Sequence, residues 1–183
     1  MNASTTKILR ARRPILAICG AMLAFGQVAV ADDEGRIQTL IHDTDLYGAE
    51  DIEKGRYEAG IEKLSKRADG GRQPHSTRVP ALIDLCAAYT MTQQHEKAQE
   101  ACDQAVESGW YSGHAYNNRG AYNISIGNYE AAIQDFELAI EGRGADRVAR
   151  SNLERARAQR VAMQQRMDQV QVVATSDVPE ASE

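Results

Sequence analysis

Apolar positions along this chain recur with the stride of an α-helix. From Tyr129 to Glu141, the residues Ala132, Ile133, Phe136, Ala139 and Ile140 fall on one face, the i, i+3/i+4, i+7 spacing of an amphipathic helix. A helix is also expected before it, from about Gly113 to Ile126, with Ser112 as its candidate cap. Gly127 can end that helix in a left-handed conformation, and Asn128 can cap the next. Gly142 and Gly144 then stop the second helix, and Asp146 can start another.

This two-helix unit repeats. Setting Ala115–Glu141 beneath Ala81–Glu107, a shift of 34 residues, places Gly120 on Cys86, Ala121 on Ala87, Ala132 on Ala98, Phe136 on Cys102 and Ala139 on Ala105. The small side chains let antiparallel helices approach to about 8–10 Å, and Phe136 fills the remaining space. One such hairpin cannot cover its outer face, so it must stack on a neighbour. The copy at Val79–Ser112 is looser, with Gln93-Gln94 where the later copy has Gly-Asn. A degenerate earlier copy spans 45–69: Gly55-Arg56-Tyr57-Glu58-Ala59-Gly60-Ile61 with Leu64 matches a second helix at a shift of 72. The four extra residues fit a loop at Gly70–Thr77, where Gly-Gly and Pro74 are turn punctuation. Its partner helix is expected within Asp45–Lys54, and residues 32–44 are left unassigned.

After Asp146 a capping helix over 147–172 is expected. Leu153, Ala156, Met163, Met167 and Val170 lie near one stripe, and Arg150, Arg155, Arg157, Arg160 and Arg166 keep the rest wet. The overhanging stripe suits either a frayed helix end or pairing with a second copy of the chain. Residues 173–183 have no periodicity and read as a disordered tail.

The order small residue, aromatic, Ala, large apolar, Ala across a 34-residue unit resembles the tetratricopeptide repeat. Asn118-Arg119-Gly120, then Gly127-Asn128-Tyr129-Glu130-Ala131-Ala132-Ile133, Phe136 and Ala139 are close to that family's pattern. Tyr116 stands where the family has Trp, Arg119 where it has Leu, and Gly144 where Pro often follows. The resemblance implies an all-α fold, a right-handed α-α superhelix of about 2.5–3 hairpins with a C-terminal cap. It also implies a concave groove that grips a peptide or helix of another protein. Carried over position by position, the groove is lined by Ile83, Asp84, Ala87, Thr90 and Met91, by His114, Asn117, Asn118, Ala121 and Ser125, and by Ser151, Asn152 and Arg155. Of these, Asp84, Thr90, Asn117, Asn118, Asn152 and Arg155 are the candidate partner-binding residues. Asn118 and Asn152 sit one repeat apart. An amide carries donors and an acceptor, so a ladder of them could pair with a partner's backbone without regard to its sequence. The competing role is helix-to-helix packing.

The amino terminus changes the picture of where the protein works. Lys7, Arg10, Arg12 and Arg13 precede an uncharged run from Pro14 to Val30 that closes on Ala29-Val30-Ala31. That is the layout of a signal peptide cleaved after Ala31, which places the mature chain in the periplasm or outside the cell. Removing its four basic residues leaves 17 basic against 26 acidic, a net charge of −9. Nucleic acid, which needs a basic face, is excluded as a partner, and no membrane association is expected after cleavage.

Export also bears on the cysteines. Without Cys19, two remain, Cys86 and Cys102, on facing helices of the middle hairpin. Axes about 8–10 Å apart, less about 2.3 Å of Cα radius on each side, leave facing Cα atoms about 3.4–5.4 Å apart. This overlaps the range a disulfide needs, and an even count in an oxidising compartment favours the bridge over two buried thiols.

The search for chemistry yields little. His42, His75, His95 and His114 share no metal-ligand spacing, and there is no phosphate-cradling Gly loop or nucleophile elbow. Ser112 near His114 reads as helix-turn punctuation. The expectation is a non-enzymatic scaffold or adaptor without cofactor or metal, binding a protein or peptide partner. The alternative is a self-assembling envelope protein that uses its long last helix.

Overall fold

The structure, a computed structural model, describes residues 36–41, 48–69 and 73–176, with side chains to 171. The leader and its cleavage point, Cys19, His42 and residues 177–183 lie outside the described residues. Among those described there are seven helices and no strand. They are α1 (Ala49–Glu53), α2 (Tyr57–Ala68), α3 (His75–Met91), α4 (His95–Glu107), α5 (Ser112–Ser125), α6 (Tyr129–Glu141) and α7 (Asp146–Ser176). The fold class is all-α. Each helix packs on the next, and α1, α3, α5 and α7 also pack on one another in succession. The result is three helical hairpins, α1–α2, α3–α4 and α5–α6, with α7 packed on α6 and α5.

Local chemistry sets the boundaries. Gly127 adopts φ 77° to end the α5 turn, and the Asn128 side chain accepts a hydrogen bond from Ala131 N–H at 3.3 Å to start α6. Where the middle copy lacks that Gly-Asn pair, Gln93 takes the left-handed conformation itself, at φ 58°, a cost that glycine does not bear.

The expected boundaries differ from those observed at three places. Ser112 is the first residue of α5, not its cap; the cap position is Tyr111, left-handed at φ 52° and without a side-chain cap bond. Helix α3 begins at His75 behind Pro74, so His75–Thr77 are helical and the expected loop ends earlier; Pro80 then falls inside the helix. Helix α7 runs through Ser176, so residues 173–176 are helical where a disordered tail was expected.

Inside the hairpins, small residues meet large ones. A Cβ built on Gly120 would lie 2.7 Å from the ring of Phe136, and that ring is fully buried. Burying one such side chain contributes about 1.5–3 kcal/mol. In the middle hairpin Cys86 and Cys102 have their sulfurs at the bonding distance of a disulfide, 1.97 Å, with Cα atoms 4.8 Å apart. In the chain-entropy model, closing a loop of this size adds about 3 kcal/mol. The first hairpin is tied by Asp51, nearly buried, which accepts from Lys63 Nζ at 2.5 Å and from Arg56 Nε at 2.7 Å. The Lys63 bond first, and the Arg56 bond next, hold its carboxyl below the ordinary aspartate value.

Arg119, the departure from Leu noted in the sequence, bridges three helices. Its guanidinium donates to both Asp135 oxygens, at 3.0 Å from Nε and 2.7 Å from Nη2, and to Asp103 at 3.2 Å. Asn123 Nδ2 donates to the second Asp135 oxygen at 2.8 Å. Donating to Asp135 raises the Arg119 pKa, against the opposite pull of burial, and the bonds to Asp103 and Asp135 together link α4, α5 and α6.

Candidate functional site

Helices α3, α5 and α7 pack on one another in succession, and together they carry the asparagines. Asp84, Asn118 and Asn152 recur every 34 residues, and Asn117 stands beside the middle one. All four are fully buried. A buried amide left unpaired would cost about 1–3 kcal/mol, so what satisfies these groups decides what the surface is for.

The partner is the chain's own residues 36–41, the segment that the sequence left unassigned. Gln38 N–H donates to Asn152 Oδ1 at 2.9 Å, and Asn152 Nδ2 donates back to Gln38 C=O at 2.7 Å. One rung further, Leu40 N–H donates to Asn118 Oδ1 at 2.7 Å, and Asn118 Nδ2 returns a bond to Leu40 C=O at 2.7 Å. Asn117 Nδ2 adds a third hold on Gln38 C=O at 3.0 Å. The rungs are linked sideways, since Asn152 Nδ2 donates to Asn117 Oδ1 at 2.9 Å and Asn117 Nδ2 to Asn118 Oδ1 at 3.3 Å. Asn118 Nδ2 also reaches Ile83 C=O on α3 at 3.1 Å.

Each rung therefore treats one residue as a neighbouring strand would, giving and taking one bond. The bonded residues are two apart, the alternation of extended chain. Two residues of such chain advance about 6.8 Å, somewhat less than the spacing of packed helices, about 8–10 Å; the asparagine side chains take up the difference. This strap runs from α7 toward α5, opposite to the order of the hairpins.

Its side chains are seated separately. Ile37 packs against the cluster of Ala132, Ile133, Phe136, Leu153 and Ala156. Leu40 packs against Ala139, Ala145 and Ala149. Ile41 packs against the large cluster of α2, α3 and α4. Beside the strap, a cavity of about 590 Å³ is lined by Ile37 and Thr39 together with Thr90, Met91, Ala121, Ile124 and Ser125. On its other side, Gln38, Arg147, Val148 and Ser151 line a cavity of about 280 Å³.

Of the sequence-derived residues, Asn117, Asn118 and Asn152 come together on one backbone. Thr90 lines the adjoining cavity, but its hydroxyl donates to Cys86 C=O at 2.7 Å within its own helix. Asp84 is buried one repeat before Asn118, and Arg155 is half-buried one turn beyond Asn152. The asparagine amides thus do two things within this chain: they bond to one another, and they bond to the backbone of its own residues 38 and 40. Sequence reasoning missed the strap itself. Its signal was the run Ile37-Gln38-Thr39-Leu40-Ile41, rich in β-branched residues and outside the helical period.

Among the described residues there is no group of three or more His, Cys, Asp or Glu placed to hold a metal. No helix there is long and apolar enough to cross a membrane. A scan against protein-family models, a search of curated proteins and a search of solved structures each found no match.

Proposed function

We propose that this chain is an exported, non-enzymatic interaction module of the tetratricopeptide-repeat type that binds a polypeptide partner in its concave groove, in the periplasm or outside the cell. One observation carries the reading: the asparagine ladder holds residues 38 and 40 through their backbone N–H and C=O groups. A surface that grips the groups common to every peptide can grip another peptide. The 34-residue recurrence of Asn118 and Asn152 supports the same view, because a repeat array offers one rung per unit. Crosslinking in the native cell envelope, comparing the wild-type chain with Asn118→Ala combined with Asn152→Ala, tests it. The double variant is expected to lose its captured polypeptide. Unchanged recovery of every partner rejects the groove as the site.

A second reading, self-assembly through α7, is favoured by Met163, Met167 and Val170, which are 44%, 57% and 69% exposed near one stripe. Sedimentation of the mature chain with and without the residues after Arg160 separates the two. A monomer in both cases removes self-assembly.

A further inference from the structure

The strap is seated in a way that allows it to leave. Residues 37–41 are only half-buried, and cavities flank them on both sides. The bonds that hold Gln38 and Leu40 come from neutral amides. On its C-terminal side six residues, 42–47, separate it from the helical hairpins. Strap and groove belong to one chain, so the strap competes as an intramolecular ligand, and an incoming segment must overcome that advantage. The ladder itself is blind to side chains. Selectivity must come from the three apolar seats taken by Ile37, Leu40 and Ile41.

Resting on the reading of the groove given above, we infer that residues 36–41 are a displaceable plug, and that the partner is an extended segment of another protein with apolar residues at the positions of Ile37, Leu40 and Ile41. Such a segment enters in the strap's direction, from α7 toward α3. It pairs its backbone with Asn152 and Asn118 at the positions of Gln38 and Leu40, and it must expel the strap to do so. The strap thereby sets the affinity threshold: apparent binding is weakened by the fraction of molecules in which the plug is seated.

The probe is a fluorescein-labelled synthetic peptide with the sequence of residues 34–43, titrated by anisotropy into two full-length mature chains. One is wild type; the other carries Ile37→Ser and Leu40→Ser, which loosen the plug and leave every rung intact. The peptide is expected to bind the loosened chain about tenfold or more tightly than wild type. Binding should be lost when Asn118→Ala and Asn152→Ala are added. It should also be lost when the peptide is N-methylated at both the Gln38 and Leu40 positions, or when its Ile37 and Leu40 are replaced by Ser. Equal affinity for wild-type and loosened chains overturns the plug while leaving the groove reading intact. A serine-substituted peptide that binds as well as the original overturns the apolar pattern. No binding to either chain, with helical circular dichroism retained, overturns the groove reading as well.

A measurement on the unmutated protein guards against a variant that fails to fold. In the ¹⁵N-labelled wild-type chain, unlabelled peptide at saturation is expected to abolish the protection of the Gln38 and Leu40 amides against hydrogen exchange. Protection that persists at saturation overturns displacement. Light scattering over a hundredfold concentration range covers the remaining occupant: a dimer formed by exchange of straps would replace a different protein with a second copy and overturn that part of the inference.

Discussion

The second and third hairpins solve one packing problem in two ways. Cys86 and Cys102 in the α3–α4 pair occupy the positions of Gly120 and Phe136 in the α5–α6 pair, 34 residues on, and in both pairs the facing residues are 16 apart. One hairpin closes this level with a covalent bond between two small side chains. The other removes a side chain altogether and fills the gap with a ring. One residue earlier on each helix the contrast recurs, as Leu85 and Ala101, both buried, stand where Arg119 and Asp135 form an ion pair. The helix geometry asks only that each level be filled. It does not dictate the means, so a residue that departs from the repeat pattern need not signal function.

The comparison is broken most severely at its aromatic end. Phe136→Ala leaves a cavity against Gly120, which has no side chain to relax into it, and is expected to cost about 4 kcal/mol. For a domain of this size that is a fall in Tm of about 8–16 °C, read by thermal circular dichroism. A loss of less than about 1 kcal/mol would mean that the ring does not fill the hairpin. Next in size is the covalent solution. Cys86→Ala with Cys102→Ala is expected to cost about 3 kcal/mol in the chain-entropy model. The oxidised wild-type chain should weigh about 2 Da less than the same chain after reduction. If reducing agent leaves both the mass and the denaturant midpoint unchanged, the middle hairpin is held by packing alone.

Legibility in the sequence followed periodicity. Helix α6 could be placed from Tyr129 to about Glu141, because Ala132, Phe136 and Ala139 repeat at the helical stride and Gly127-Asn128 and Gly142 punctuate its ends. The disulfide could be placed because a 34-residue frame put both cysteines on facing helices. The asparagine rungs were also visible, as an equal spacing of one polar residue type. Their occupant was not. Gln38 contacts Asn152 across 114 positions and Leu40 contacts Asn118 across 78, and a backbone bond leaves no trace in residue identity. Arg119 was visible only as an exception to a pattern. Its acceptors, Asp103 and Asp135, each lie 16 residues away on a different helix, beyond what one helix's periodicity reports.

The finest test of the comparison moves the second hairpin's solution into the third. Arg119→Leu alone strands the Asp135 carboxylate, which is 3% exposed and, among the described residues, keeps the Asn123 amide as its donor. Breaking one side of a buried pair costs about 3–5 kcal/mol. Because the Arg119 side chain is 27% exposed, water and salt already screen part of the attraction, and about 2 kcal/mol is the expected loss. Adding Asp135→Ala recreates the Leu85–Ala101 pair of the middle hairpin and removes the stranded charge. Replacing an ion pair by apolar groups of fitting shape is often neutral, so the double variant should recover to within about 1 kcal/mol of wild type, measured by urea unfolding. Recovery would establish that the two levels are interchangeable and that the ion pair is one of several ways to fill this position. If the double variant is instead as unstable as the single one, the three-helix bridge through Asp103 carries stability that the apolar pair cannot supply. The third hairpin would then depend on its charges in a way the second does not.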